Sequence, residues 1–585
     1  MDGTSRTVTP VAQRRSHGLR PFAGMAADVK ARAPYYLSDW TDAWTYRVVP
    51  ATAMIFFANV LPGIAFSLDL IETTHQYGVT EVLLSSFMAA FIFSVFSCQP
   101  LCIAGVTGPI TVLNKTIYDI LERRQDAPEY LHFIGWVYLW AAIMHWVAAT
   151  LNAANFLRYV TRFSCDTFGF YVAWVYLQYG VQVLTRQLHD VESASVFVSI
   201  ILALVMLVTG HLFGMLARSN LGHRLVRRFC ADYGMPISGK HLALVIINLP
   251  SGELISALSV VACSGLAYWG RFNLANPLTL PTSGSFSPAG NRPWLVKFWE
   301  LDGKWVGIAF PFGFVLFILF YFDHNVSSLI AQGSEFPLRK PPGFHWDFFW
   351  LGITTFIAGL LGVPAPNGLI PQAPMHTESL LVMGVRRKDD PEKPAEFRLA
   401  GIQNYEPHAR AVSPPTGEQT PVTTDVFVEE HPIAVVEQRV SNLAQGALCV
   451  VLMTGPFQHV LGLVPRGVLA GLFWFMGTDA LRTSGVTEKL LYLIRDPSLV
   501  SRREPLRHVR RSRVALFAAI ELIGFGATMA ITQTIAAIGF PVVIMLLVPV
   551  RILLIPRLPF TPEELAILDG PTASPFTMES VGGSI

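Results

Sequence analysis

The sequence predicts an all-α polytopic membrane protein of about fourteen transmembrane spans in two halves of seven, and three observations carry that prediction. The 585 residues are 52% hydrophobic and only 14% charged, with a mean hydropathy of +0.44. Soluble domains carry roughly 25% charged residues. Apolar stretches recur along the chain, each approaching the 20 or so residues that a span needs. Two of these stretches are broken by Gly and Pro at matching places, Gln99–Pro109 and Gly362–Gln372, with Gly108 and Gly368 260 residues apart. Paired interruptions in the two halves of a chain point to a transporter site, because a helix severed at mid-bilayer presents unpaired backbone N–H groups and the positive end of its dipole.

In chain order, residues 1–45 are polar, with Arg14, Arg15, Arg20, Lys30 and Arg32 and no early apolar core. They read as a disordered cytosolic tail, with room for one amphipathic stretch, rather than a signal peptide. The first half, 46–270, holds candidate spans at 48–70, 79–97, 101–119 (broken), 131–157, 166–185, 194–216 and 256–270. Residues 239–256 interrupt it with Pro250 and Gly252 and read as an insertion, an intron retained in the gene model being the hypothesis that a cDNA sequence would test. Residues 271–304 read as an extracellular loop. The second half, 305–557, holds spans at 306–331, 347–362, 367–383 (broken), 438–456, 459–481, 514–534 and 536–556, with a flexible cytosolic loop at 386–430. A polar cytosolic tail, 558–585, closes the chain. Loops expected in the cytosol are richer in Arg and Lys, which puts both termini inside. An odd number of spans per half would give the two halves opposite orientations.

Composition also excludes classes. The net charge of +2 and the lack of a basic aromatic stripe argue against nucleic acid. Walker A, dinucleotide and HExxH motifs are absent, so neither an enzyme, a cofactor nor an ATP motor is expected. The six cysteines form no CxxC pair, and Cys98 and Cys102 read as small apolar packers beside the first break.

Four strings carry a family resemblance: Gln99-Pro100-Leu101 with Gly105–Pro109, Phe322–Ser328, Pro371–Leu380, and Gln438–Leu443. From about Asp39 to Pro559, leaving out 239–256 and 386–430, the chain resembles the bicarbonate/borate anion-transporter family, solute carrier family 4-like, and within it the borate transporters of fungi and plants. The resemblance implies two inverted seven-span repeats sorted into core and gate domains, two half-helices preceded by short extended segments, elevator-like movement of the core and a homodimer. It implies a substrate, borate or another small inorganic anion, held between the half-helices and flanked by the eighth span. Carried onto this chain, the site comprises Thr107, Gly108 and Pro109 of the first half-helix, Asp323 and Asn325 of the eighth span, and Asn367, Gly368 and Gln372 of the second half-helix. Red-cell-type exchangers match Gln372 with an arginine, and this departure favours the borate branch over chloride/bicarbonate exchange.

Each residue also has a plainer reading. Asp323 ends the run Phe310–Phe322, where an ionisable group costs about 2.5–3.5 kcal/mol unless partnered. It is either a switch at the site or a carboxylate held by a neighbour. Gln372, Asn325 and Asn367 either bond a hydroxylated anion or tie helices together. Asn59 either faces the site or packs the bundle. His145 reads as a buried histidine bonded to a neighbouring helix, and His376 as a structural cap. Asp69 and Glu521 are expected near the membrane interfaces. The expected function is secondary transport of borate, outward across the plasma membrane (the vacuolar membrane being the alternative). Bicarbonate exchange, an anion channel, a membrane enzyme and a trafficking adaptor are the other readings.

Overall fold

The computed structural model describes residues 20–218, 252–387, 428–498, 500, 504–534 and 536–582. Twenty α-helices run through them. The first half holds α1 (Ala23–Arg32), α2 (Tyr36–Thr41), α3 (Val48–Thr74), α4 (Val79–Val95), α5 (Gly108–Glu122), α6 (Tyr130–Thr150), α7 (Arg162–Asp190), α8 (Ser193–Arg218) and α9 (Gly252–Ala267). The second holds α10 (Gly303–Ile330), α11 (Phe344–Leu361), α12 (Gln372–Ser379), α13 (Val440–Leu452), α14 (Gly455–Leu461), α15 (Arg466–Thr483), α16 (Gly485–Ile494), α17 (Arg511–Thr532) and α18 (Phe540–Leu553). The short α19 (Pro562–Leu568) and α20 (Pro575–Ser580) follow. A helix occupies each of the fourteen expected stretches. Among the described residues, seven are long and apolar enough to cross a bilayer by length and composition, and α13 and α14 form a pair bent by 85°.

The helices pack in two groups. The α6 helix lies against α10 and α11, and α13 lies against α3 and α4. In the other group α15 packs between α7 and α8, and α17 and α18 pack on α7. Close packing comes from small residues, as expected where lipid supplies no hydrophobic drive between helices. A Cβ on Gly467 would lie 2.4 Å from the Ser199 carbonyl oxygen, and one on Gly471 2.4 Å from that of Ala203.

The structure corrects some expectations here and adds detail to others. The described part of the 1–45 tail is not disordered. Its helices α1 and α2 dock on the bundle, where Asp28 accepts the His345 backbone N–H (2.9 Å) and buried Asp39 pairs with Arg32, Lys340 and Arg439 (2.9, 2.8 and 3.0 Å). Residues 271–304 are likewise fixed: buried Glu81 accepts the Gly78 and Ala289 backbone N–H groups (2.9 and 2.6 Å) and faces Arg292. The C-terminal segment folds back, with Asp569 paired to Arg551 (2.7 Å) and the Ser574 N–H donating to the Gln332 carbonyl (3.0 Å). His145 is buried but bonds its own helix, at the Ala141 carbonyl (2.6 Å), and not a neighbour. Asp69 and Glu521 are buried in ion pairs, with Arg186 (2.6 Å) and Lys489 (2.6 Å). The interruption at 239–256 lies outside the described residues except for 252–256, which open α9. The loop 386–430 lies outside them over 388–427, and its two ends form an antiparallel pair, β3 (Leu381–Arg387) with β4 (Val428–Val435).

Candidate functional site

The two broken stretches meet. Gly362, in the left-handed conformation at φ 60°, ends α11, and an extended segment leads from it to β2 (Asn367–Gly368). The stretch before α5 supplies β1 (Ala104–Gly105). The strands pair antiparallel, Ala104 opposite Gly368 and Gly105 opposite Asn367, and the Leu369 N–H adds a bond to the Ile103 carbonyl (2.8 Å). Because the pair is antiparallel, α5 and α12 leave it in opposite directions with their N-termini at the junction. Each such terminus carries roughly half a positive charge.

Local chemistry explains each start. Thr107 has extended φ/ψ and caps α5, its hydroxyl accepting from the Ile110 N–H (3.5 Å). Pro109 occupies the first turn, where a missing N–H loses nothing. The second half-helix departs from expectation. Asn367 and Gly368 belong to the extended lead-in, and the helix begins at Gln372. Gly368 is needed for close approach: a Cβ there would lie 2.8 Å from His324 Cα and 2.9 Å from Ser327 Cβ. At Gly108 the nearest atoms, on Phe66 and Tyr176, are 3.4 Å away.

The eighth span, α10, flanks this junction with Asp323, which is 1% exposed. The Asn367 side-chain amide donates to Asp323 Oδ2 (3.2 Å), while Asp323 Oδ1 has no partner among the described residues. Ser327, one turn on, donates to the Leu369 carbonyl (3.0 Å). Gln372 donates to the Ala58 carbonyl of α3 (3.2 Å), and its Oε1 has no partner among the described residues. Thus Asp323, Asn367, Gly368 and Gln372 gather around the paired strands that lead into Thr107, Gly108 and Pro109. Asn325 does not join them. It lies two residues beyond Asp323, about 200° around the helix, and its amide bonds the Tyr321 carbonyl (2.7 Å).

Sequence reasoning missed the supports. Asp347, in the first turn of α11, accepts the Cys98 and Gln99 N–H groups (2.5 and 3.0 Å) and so fixes the entry to β1. Its only signal was a carboxylate at the edge of an apolar stretch. Ser85 donates to the Pro364 carbonyl (2.6 Å) and Tyr138 accepts the Ala365 N–H (3.3 Å), which steadies the second break. Asn59 donates to Gln445 (3.1 Å), and Gln445 donates to Asn442 (3.1 Å), making an amide chain beside Gly105. His376 spans from the Leu101 carbonyl (3.1 Å) to the Ser441 hydroxyl (2.6 Å), a structural tie between α12, the first break and α13. Among the described residues no group of three or more His, Cys, Asp or Glu could hold a metal ion.

The family described as the HCO3- transporter integral membrane domain matches residues 20–194, 177–398 and 425–573. The chain belongs to this family. A transporter-class protein of Schizosaccharomyces pombe is 44% identical over 545 residues, 93% of this chain and 94% of that protein. Boron transporter 1 of Saccharomyces cerevisiae is 39% identical over 569 residues, covering 95% of this chain and 87% of its own length. Among solved structures, the murine Solute Carrier 26 family member A9 anion transporter aligns at 12% identity with a TM-score of 0.49, over 91% of this chain and 71% of that one. As a family member the protein is a membrane transporter and not an enzyme.

Proposed function

We propose that this chain carries borate across the membrane, held between the N-termini of α5 and α12. The observation that supports the reading is the pairing of two kinds of group at one junction. Two helix N-termini offer partial positive charge, while Asp323 Oδ1 and Gln372 Oε1 are buried acceptors without partners among the described residues. A bare anion such as chloride would satisfy the first and oppose the second. Tetrahydroxyborate brings a negative charge and four O–H donors, so it meets both. The glutamine at 372, where the red-cell-type pattern has arginine, supports the same choice.

In this reading α5, α10 and α12 move with α3, α4, α6, α11 and α13 as an elevator-like core against a gate of α7, α8, α15, α17 and α18, and the two groups meet where α10 touches α18, α3 touches α15 and α5 touches α7. Protonation of Asp323 couples to that movement. Boric acid enters cells by diffusion, so the useful direction is outward, from a homodimer in the plasma membrane with both termini in the cytosol.

The test is boron content by mass spectrometry in cells lacking or overproducing the chain, together with borate flux from proteoliposomes of the purified protein. Overproduction should lower cell boron and loss should raise it. Unchanged boron in both, with no flux in vesicles, overturns the substrate. Bicarbonate exchange is the second reading, favoured by the family description itself, and bicarbonate-driven flux without borate flux would establish it.

A further inference from the structure

The C-terminal end of α11 decides where the lead-in to β2 begins. A helix leaves its last four carbonyls without partners of its own, and here loop 271–304 supplies them. The Val296 N–H donates to the Leu360 carbonyl (2.8 Å). The Arg292 guanidinium donates to the Leu361 and Gly362 carbonyls (3.3 and 2.6 Å). The same guanidinium lies 3.5 Å from the Glu81 carboxylate, in the first turn of α4. Arg292 thus sets its positive charge at the negative end of the α11 dipole. On its other side stands an acid that also accepts the Gly78 and Ala289 N–H groups.

Three features extend this contact from loop packing to the strand junction. The fit is close: the Arg292 side chain is 13% exposed, and a Cβ on Gly362 would lie 2.9 Å from its Nη1 and 2.7 Å from Val296 Cγ2. The connection from Gly362 to β2 is short and stiff. It contains Pro364 and Pro366, whose rings hold φ at about −65°, and the Val363 N–H is closed onto the Ala358 carbonyl (3.0 Å). A shift at Gly362 therefore passes along the connection and reaches Asn367, the partner of Asp323 (3.2 Å). Finally, the loop that carries Arg292 is itself a fixed base. Its Leu280 N–H donates to the Val464 carbonyl (2.9 Å), and its Leu278 carbonyl accepts the Arg466 N–H (2.8 Å).

We infer that Arg292 is a positioning residue for the transport site, acting through Gly362 to hold Asn367 and Gly368 at the strand junction. It touches no substrate. The inference rests on the transport reading above, and it gives loop 271–304 a part in substrate affinity from outside the site.

The test pairs hydrogen–deuterium exchange of the full-length chain in lipid nanodiscs with borate flux in proteoliposomes. Arg292→Gln keeps a neutral donor and removes the charge and the second arm of the fork. Exchange in peptides covering 360–372 should quicken roughly tenfold, as the loss of one charge-assisted hydrogen bond allows, with peptides of α15 unchanged. Half-saturating borate should rise roughly three- to tenfold while maximal flux stays within about twofold. A tie needed only for stability would do the opposite, since loss of folded carrier lowers maximal flux and leaves half-saturation alone. Arg292→Lys, which keeps the charge and can reach one carbonyl, should restore most of the half-saturation. Unchanged exchange over 360–372, exchange that quickens equally in α15, or a lower maximal flux at fixed half-saturation overturns the inference. Local quickening in a protein whose wild type carries no borate would keep the positioning role and reject the transport reading, whereas borate flux without local quickening would do the reverse.

Discussion

Gly368→Ala is the sharpest probe of the strand junction. The new methyl carbon would lie 2.8 Å from His324 Cα and 2.9 Å from Ser327 Cβ. Carbon contacts settle near 3.5–4.0 Å, so β2 must withdraw from α10 by roughly 0.7–1.2 Å. The strand is held there by the Ser327–Leu369 and Asn367–Asp323 hydrogen bonds (3.0 and 3.2 Å) and by the ladder to β1. Overpacking of this kind costs about 1–3 kcal/mol, and a lost buried hydrogen bond adds about 1 kcal/mol. A total of about 2–4 kcal/mol falling on the transport-competent arrangement lowers flux by roughly 30- to 1,000-fold at tenfold per 1.36 kcal/mol. Borate flux from proteoliposomes reads this directly, and thermal unfolding by tryptophan fluorescence reports the accompanying loss of stability. Gly526→Ala, where a Cβ meets nothing within 4 Å, is the control and should hold or raise stability, since alanine favours a helix over glycine. A Gly368→Ala protein with flux within about twofold of wild type would refute the close-approach argument, because overpacking of 1 kcal/mol or more exceeds that factor.

Further outcomes follow from the same contacts. Asp323→Asn keeps the shape beside Asn367 but removes the ionisable group, so maximal flux should fall and its pH profile flatten; a full pH-dependent profile in the variant rules out the coupling role. Arg439 donates to Asp39 Oδ2 (3.0 Å) and to the Ser94 and Ser97 carbonyls (2.9 and 2.8 Å). Lysine cannot span all three, so Arg439→Lys should cost about 3 kcal/mol, or two charge-assisted bonds, and an unchanged melting temperature would contradict that. Glu437, outside the spans, is buried, and desolvation raises its carboxyl pKa above the ordinary 4.5 despite Arg32 and the Arg339 and Lys340 backbone N–H groups. A raised acid contributes stability that is present below 4.5 and lost as pH climbs through the folded value. Glu437→Gln keeps the amide contacts without the charge, so its melting temperature should decline less than that of wild type from pH 4.5 upward, and parallel curves would refute this.

The sequence was most legible where a rule of the bilayer forces it. Apolar stretches must be helical because hydrocarbon satisfies no backbone group, and a helix stands in each expected stretch. The two Gly/Pro interruptions were visible for the same reason, since a mid-membrane break stands out against an apolar background. Asp323 stood out by the cost of its charge. Less legible were residues whose partners are far away in sequence. Asp39 and Arg439 are 400 positions apart, and nothing local in the polar 1–45 segment announces that Asp39 is a buried counter-ion. Asn325 was included as an amide of the eighth span able to bond a hydroxylated anion, yet a helix turns residues two apart, such as Asp323 and Asn325, to opposite faces.

By itself, then, the sequence determined a chain of membrane helices with two severed ones, because hydrophobicity and backbone chemistry act residue by residue. Only the tertiary structure decided that β1 and β2 pair, that α12 begins at Gln372 and not at Asn367, and that Asp347, Ser85 and Tyr138 brace the breaks. Such choices depend on which atoms meet across the bundle, and those meetings are set by packing between segments hundreds of residues apart.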